Sequence, residues 1–241
     1  MTVRPVALNT AIATLFIIGS ALFALGSVPA YINAVGATVD SITYFVGSLF
    51  FTTASFCQLL QAQTPAMTEV DAESQHSSEP VRLRAWLPRD RNWLAAATQF
   101  PGTLFFNIST LAALAHNATA QQADRRVWRP DFYGSTLFLV SSAFAILALG
   151  RILSVRPRSI PWYIAWLNMI GSILFMMSAL ASYVLPTTGE LINSPVSIGG
   201  TLLGALCFLL GAILMFSAWR HAVRQAKPIQ PEDPQPQRSS Q

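Results

Sequence analysis

Six apolar stretches follow one another along the chain, each about 20 residues long and free of Asp, Glu, Lys and Arg. A helix rises about 1.5 Å per residue, so each stretch can span a hydrocarbon core of about 30 Å. In lipid the backbone must satisfy its own hydrogen bonds, which favours helices over open strands. The pattern predicts an all-α polytopic membrane protein with six transmembrane helices over residues 8–28, 41–60, 93–115, 132–150, 161–185 and 197–219.

The polar segments group these helices into three hairpins of unequal spacing. Hairpins are predicted within 1–60, 93–150 and 151–219, and the first contains only a short turn at 29–40. Residues 61–92 form a long loop that is acidic and Ser-rich before it becomes basic. The segment 220–241 is rich in Pro and Gln beyond Lys227 and is predicted to be a disordered cytoplasmic tail, because it cannot bury enough apolar surface to fold.

The basic residues predict how the protein lies in the cell membrane. The N-terminus, the 61–92 loop, the 151–160 loop and the tail carry 12 of the 15 Lys and Arg residues, and the other three loops carry three. Cytoplasmic loops are enriched in Lys and Arg, so both termini are predicted to be cytoplasmic. An alternative is that Arg4, the apolar stretch after it and Val28-Pro29-Ala30 form a signal peptide with its cleavage site.

Composition narrows the class of protein. Charged residues make up 11% of the chain and hydrophobic residues 52%, whereas a soluble domain carries about 25% charged residues. Cys57 and Cys207 lie in apolar stretches and are predicted to be buried thiols. The sequence contains no Gly-rich phosphate loop, nucleophile–base pair or metal-ligand spacing, so we expect no catalytic residues, no metal, no cofactor and no enzymatic activity.

Each apolar stretch contains the same nine-residue motif, G-[STA]-x-[LFC]-F-x-x-[GAS]-[SAT]. Positions one, five, eight and nine fall on one side of a helix, and small residues let helix backbones approach closely in lipid. The motif therefore predicts a packing face, mostly in the outer half of the membrane, with a bulkier cytoplasmic half; a substrate path lined by small residues is the alternative. The motif glycines are Gly19, Gly47, Gly102, Gly134, Gly171 and Gly204.

The hairpins also resemble a known family. The first pair, LFIIGSALF through YFVGSLFF, is similar to the YrhK-like domain, a two-helix bacterial membrane unit. The third pair, LNMIGSILF and LLGALCFLLGA, looks like the same unit, and the middle pair, QFPGTLFFNIST and VWRPDFYGSTLFLVSS, looks like a diverged copy. The resemblance implies a helical hairpin fold in a membrane and carries no established activity.

Three amides form a candidate polar site within the membrane: Gln99, Asn107 and Asn168. Gln99 and Asn168 each precede a motif glycine by three residues, so they share its helix face, and Gln58 lies nearer the cytoplasmic end. Interhelical hydrogen bonding is the first interpretation, worth about 0.6 kcal/mol per bond. The alternative is a small-molecule site beside Pro101, which interrupts the hydrogen-bond ladder of the third helix.

A basic and aromatic segment precedes the third helix. Basic and aromatic side chains beside a span suit the anionic lipids of the cytoplasmic leaflet, so we expect an interfacial anchor, with a partner-binding segment as the alternative. Nucleic-acid binding is not expected beside a membrane. The residues of this segment are Arg82, Arg84, Trp86, Arg89, Arg91 and Trp93.

The sequence thus favours a non-enzymatic membrane protein of structural or accessory role. A channel or facilitator for a small uncharged solute is the second hypothesis. Convergence of Gln99, Asn107 and Asn168 on a wet cavity would support the second hypothesis.

Overall fold

The computed structural model describes residues 2–64, 79–115, 119–150 and 159–225. The described part is helical apart from the antiparallel pairing of β1 (Thr2–Val3) with β2 (Glu79–Pro80) and one isolated β-bridge, so the all-α prediction is confirmed. Five helical segments are long and apolar enough to cross a membrane, which indicates a membrane protein. They are Pro5–Gly26, Ala37–Gln63, Ala120–Ala148, Ile160–Ala181 and Ser194–Trp219.

The remaining predicted span, 93–115, is also a helix. It runs over Arg91–Ala113. This helix is not one of the five segments above because Gln99 and Asn107 lower its mean hydropathy. The described residues form eight α-helices: α1 (Pro5–Gly26), α2 (Pro29–Val35), α3 (Ala37–Gln63), α4 (Arg91–Ala113), α5 (Ala120–Ala123), α6 (Arg129–Ala148), α7 (Ile160–Ala181) and α8 (Ser194–Gln225).

Helix boundaries differ from the predicted ones where polar residues continue a helix. The predicted turn at 29–40 contains α2, which begins with Pro29 at a position that needs no backbone donor. The polar turn Asp124–Trp128 is a π-helical segment that joins α5 to α6, and its Asp124 forms an ion pair with Arg129 at 2.8 Å. α4 begins where Asp90 accepts hydrogen bonds from the backbone N–H groups of Asn92 and Trp93.

The six long helices form a closed ring. α1 contacts α3, α3 contacts α4, α4 contacts α6, α6 contacts α7, α7 contacts α8, and α8 returns to α1. Successive long helices run in opposite directions, so the ring consists of three antiparallel pairs, α1–α3, α4–α6 and α7–α8. The polar middle helix α4 therefore holds a place in the ring equivalent to those of the more apolar helices.

Within each pair, the motif glycine of one helix receives the motif phenylalanine of the other. A Cβ atom at Gly47 would lie 2.9 Å from Cδ2 of Phe23 and 3.1 Å from Cβ of Leu22. A Cβ atom at Gly102 would lie at the same two distances from Cδ2 of Phe138 and Cβ of Leu137. Glycine fits these positions because an added Cβ atom would force the neighbouring phenylalanine ring to shift. The same reciprocal contact places Gly19 against Phe51, Gly134 against Phe106, Gly171 against Phe208 and Gly204 against Phe175.

Small polar side chains join one pair to the next. The hydroxyls of Ser48 and Thr110 lie 3.0 Å apart between α3 and α4, and those of Ser142 and Ser172 lie 2.8 Å apart between α6 and α7. In both pairs the hydroxyl at motif position two of one helix, Ser48 or Ser172, meets the hydroxyl at motif position nine of the neighbouring helix, Thr110 or Ser142. These bonds add directional contacts to an interface where apolar side chains gain little from leaving lipid.

The predicted basic part of the long loop is attached to the end of α3. The backbone N–H of Arg82 donates to Oγ1 of Thr64 at 3.1 Å, and that of Ala85 donates to Oε1 of Gln63 at 2.9 Å. The acidic part of this loop at 65–78, residues 151–158 and the part of the predicted tail from 226 onward lie outside the described residues. The helix α8 extends to Gln225 and therefore takes in the first residues of that tail, 220–225.

Candidate solute-binding cavity

The six motif phenylalanines fill the centre of the ring. Their ring centroids lie 5.5 Å apart in the first helix pair, 5.1 Å in the second and 5.2 Å in the third. Contacts between pairs join them into one cluster with centroid distances of 5.7–6.4 Å. All six side chains are buried, so this Phe cluster blocks the axis of the bundle; its members are Phe23, Phe51, Phe106, Phe138, Phe175 and Phe208.

A cavity of about 340 Å³ lies on one side of the Phe cluster. Phe208 lines its inner part, and the exposed residues Asn92, Leu149 and Pro161 line its outer part. These exposed residues lie near the start of α4, the end of α6 and the start of α7, which are at the same end of the bundle. The cavity therefore reaches the surface at one end and is closed by phenylalanine at the other.

Each of the six long helices contributes to the wall at an equivalent position. On α1, α4 and α7 this position precedes the motif glycine by three residues, and on α3, α6 and α8 it follows the glycine by 11 residues. Antiparallel neighbours present these positions to the same half of the ring. We call them the six lining positions: Phe16, Gln58, Gln99, Ala145, Asn168 and Met215.

Three of the lining positions carry amides that leave hydrogen bonds unmade. Oε1 of Gln58 is buried and has no partner among the described residues. Oε1 of Gln99 accepts one long bond, 3.4 Å from Oγ of Ser141. Asn168 makes no hydrogen bond within the described part, and its Oδ1 lies 3.2 Å from where a Cβ on Gly211 would be. Such amides can bind water or a polar solute, because buried polar groups otherwise lose their hydration without compensation.

The described part of the wall carries no charged residue. Of the 14 described residues that line the cavity, none is Asp, Glu, Lys or Arg, and four are Asn or Gln. The described residues contain no group of three or more metal-ligating His, Cys, Asp or Glu side chains. The cavity can accordingly hold a neutral molecule by hydrogen bonds and apolar contact, whereas a bare ion would find no opposite charge.

Two of the three predicted polar residues come together, and the third does not. Gln99 and Asn168 both line the cavity, as their shared phase relative to the motif glycine implied. Oδ1 of Asn107 instead accepts a hydrogen bond from Oγ1 of Thr52 at 3.1 Å, between α4 and α3. Asn107 follows its motif glycine by five residues, which turns it away from the cavity and into a helix seam.

The predicted interfacial segment is exposed except at its end. The four arginines are exposed and Trp86 is 80% exposed, whereas Trp93 is 7% exposed. Trp93 lies in the first turn of α4, and its ring centroid is 5.4 Å from that of the exposed Trp86. Nη1 of Arg91 donates to the carbonyl of Leu147 at 2.5 Å, across the mouth of the cavity from α4 to α6.

Comparison with family models, curated proteins and solved structures gives no match to this chain.

Some lining residues were not among the predicted site residues. Gln58 lies 11 residues after Gly47 on the second predicted helix, which runs opposite to the first and third. Its depth relative to Gln99 and Asn168 therefore depends on how antiparallel helices pack. Asn92 lies before the predicted start of the third helix. Phe16 is apolar, so its sequence context does not indicate a binding residue. The six lining positions keep a fixed spacing from the motif glycines, but only the packing of antiparallel helices brings the positions three residues before a glycine level with those 11 residues after one.

Proposed function

We propose that this protein is a membrane facilitator: a small uncharged solute occupies the cavity, and its passage across the membrane requires the side chains of the Phe cluster to move apart. The observation that carries the proposal is the placement of three amides, Gln58, Gln99 and Asn168, at equivalent positions of one neutral cavity with unmade hydrogen bonds. A purely structural bundle gains little from such amides, because an amide without a partner is costly in lipid. The competing hypothesis is the structural or accessory role, and neither hypothesis includes an enzymatic activity.

We further propose that the chain crosses the membrane six times as three hairpins of the YrhK-like kind. The position of α4 in the closed ring supports a sixth span, and the reciprocal glycine–phenylalanine contacts within each pair support a repeat. The 12-to-3 distribution of basic residues supports a cytoplasmic position for both termini, and with them for the open end of the cavity.

Anionic lipids of the cytoplasmic leaflet are the proposed partners of the basic segment. Arg82, Arg84 and Arg89 are exposed beside Leu83 and Trp86, while backbone bonds hold the segment to the end of α3. This combination of fixed backbone, exposed guanidinium groups and exposed apolar rings suits the headgroup region.

Solute flux in liposomes tests the proposed function. Purified protein is reconstituted, and the swelling of liposomes in a glycerol gradient is compared for the unaltered chain, Gln99→Leu and the matched control Asn107→Leu. We expect Gln99→Leu to abolish the protein-dependent flux while both variants remain folded by circular dichroism. Equal flux through Gln99→Leu and the unaltered chain would reject the cavity as the path.

Reporter fusions test the topology. Fusions after Gln63 and Gln241 should both report the cytoplasm, and a fusion after Gln121 should report the outside. A periplasmic signal from the Gln241 fusion would reject the proposed orientation.

A further inference from the structure

We propose that the cavity is selective for small neutral molecules that carry a primary carboxamide or urea group on an apolar body. This inference rests on the proposed solute-binding role and adds the chemical class of the solute. Three features of the wall define the class: the hydrogen-bonding capacity of the amides, the absence of charge and the distribution of apolar side chains.

The amides require a ligand with both donors and acceptors. Each side-chain amide offers two N–H donors and one carbonyl acceptor. The carbonyl of Gln58 has no partner and that of Gln99 has only a 3.4 Å contact, so both can accept an N–H from a ligand. The amide group of Asn168 is likewise unbonded among the described residues. A carboxamide or urea matches this set because it presents N–H donors and a carbonyl acceptor in one plane.

None of the described lining residues is charged, which disfavours ionised relatives of such a molecule. A carboxylate or an ammonium group would leave water for described lining residues that offer no opposite charge, which costs far more than moving a neutral amide. Arg91, which lies at the mouth, is already bonded to the carbonyl of Leu147 and is not among the lining residues. The cavity should therefore distinguish an amide from the corresponding acid.

The apolar lining positions provide a surface for the rest of the molecule. Phe16 and Met215 belong to neighbouring helices, α1 and α8, and Phe208 of the Phe cluster lines the same cavity. A flat apolar body can pack on these aromatic and thioether side chains. At about 340 Å³ the cavity is at the small end of the roughly 300–1,000 Å³ range of ligand pockets, which suits a molecule the size of benzamide.

Binding of three closely related probes tests the inference. Calorimetry on the full chain in nanodiscs would measure benzamide, benzoate, which replaces the amide by an anion, and toluene, which lacks the polar group. We expect benzamide to bind at least tenfold more tightly than benzoate or toluene. Gln58→Met and Asn168→Leu should each weaken benzamide binding at least tenfold, while Asn107→Leu, the amide outside the cavity, should change it less than twofold.

The outcomes separate this inference from the proposed function. Benzoate or toluene binding as tightly as benzamide would overturn the chemical class, as would an equal loss of binding in Asn107→Leu. If glycerol flux depends on Gln99 but benzamide does not bind, the facilitator role stands and the class is wrong. If benzamide does not bind and glycerol does not permeate, both proposals fall. If a variant does not fold, the three-probe comparison on the unaltered chain decides.

Discussion

Two glycines in equally regular helices should respond in opposite ways to the same substitution. A Cβ atom at Gly102 would lie 2.9 Å from Cδ2 of Phe138 and 3.1 Å from Cβ of Leu137, whereas a Cβ atom at Gly199 would have no such neighbour within 4 Å. We therefore expect Gly102→Ala to lower the free energy of unfolding and Gly199→Ala to leave it unchanged or raise it.

The magnitude follows from the contact and from helix propensity. Carbon atoms prefer a separation of about 3.5–4.0 Å, so the ring of Phe138 would have to move by roughly 0.6 Å or more. This ring is 2% exposed and is held by other rings of the Phe cluster, which leaves it little room to move. Overpacking costs about 1–3 kcal/mol, and alanine gains about 1 kcal/mol over glycine in a helix at both sites. The gain cancels between the variants, so their unfolding free energies should differ by about 1–3 kcal/mol.

Reversible unfolding in mixed detergent micelles measures this difference. A difference below about 0.5 kcal/mol, or a more stable Gly102→Ala variant, would refute the proposed contact. Phe138→Leu supplies an internal check, because the smaller side chain removes the overlap. In that background the cost of Gly102→Ala should fall, with a coupling energy in the range of about 0.5–3 kcal/mol seen for contacting residues.

Four further substitutions test the packing in the same assay. Gly171→Leu should destabilise the bundle by about 1–3 kcal/mol, because its Cβ would lie 3.1 Å from ring carbon Cε2 of Phe208. Ser135→Ala should be neutral or stabilising since its buried hydroxyl has no partner among the described residues, whereas Ser172→Ala should cost about 1 kcal/mol because it loses a bonded hydroxyl. Asn107→Leu should cost about 0.6 kcal/mol through loss of one interhelical bond. Results of the opposite order for the two serines would contradict the assigned bonds.

The packing arrangement could be predicted from the sequence because each motif position has a simple physical requirement. Glycine at position one and phenylalanine at position five identify a groove and the side chain that fills it, as Gly47 and Phe23 do. Gln99 and Asn168 each precede the motif glycine of their own helix by three residues. This shared spacing indicated that the two side chains would lie at the same depth in the bundle. These inferences needed only the helical repeat and the direction of each span.

Features that depend on neighbouring helices could not be predicted in this way. The partner of Asn107 is Thr52, which lies 55 residues earlier on an adjacent helix, and sequence spacing gives no sign of it. The burial of Trp93 could not be predicted from its place after the arginines, because it depends on the helices that pack against the first turn of α4. The place of Gln58 in the cavity wall depends on the relative depth of antiparallel helices, which only their packing determines.

The motif positions and the six lining positions differ in how much their residue types vary around the ring. All six helices carry glycine at motif position one and phenylalanine at position five, as expected where every pair must meet the same steric requirement. At the six lining positions the residues instead range from phenylalanine and methionine to alanine and amides, although the backbone places them equivalently. Packing alone would favour apolar residues there, because an unbonded amide weakens a helix bundle in lipid. A regular set of packing positions with an irregular, partly polar wall is the arrangement that the proposed solute-binding role predicts, with the amides contributing to a ligand rather than to the helices.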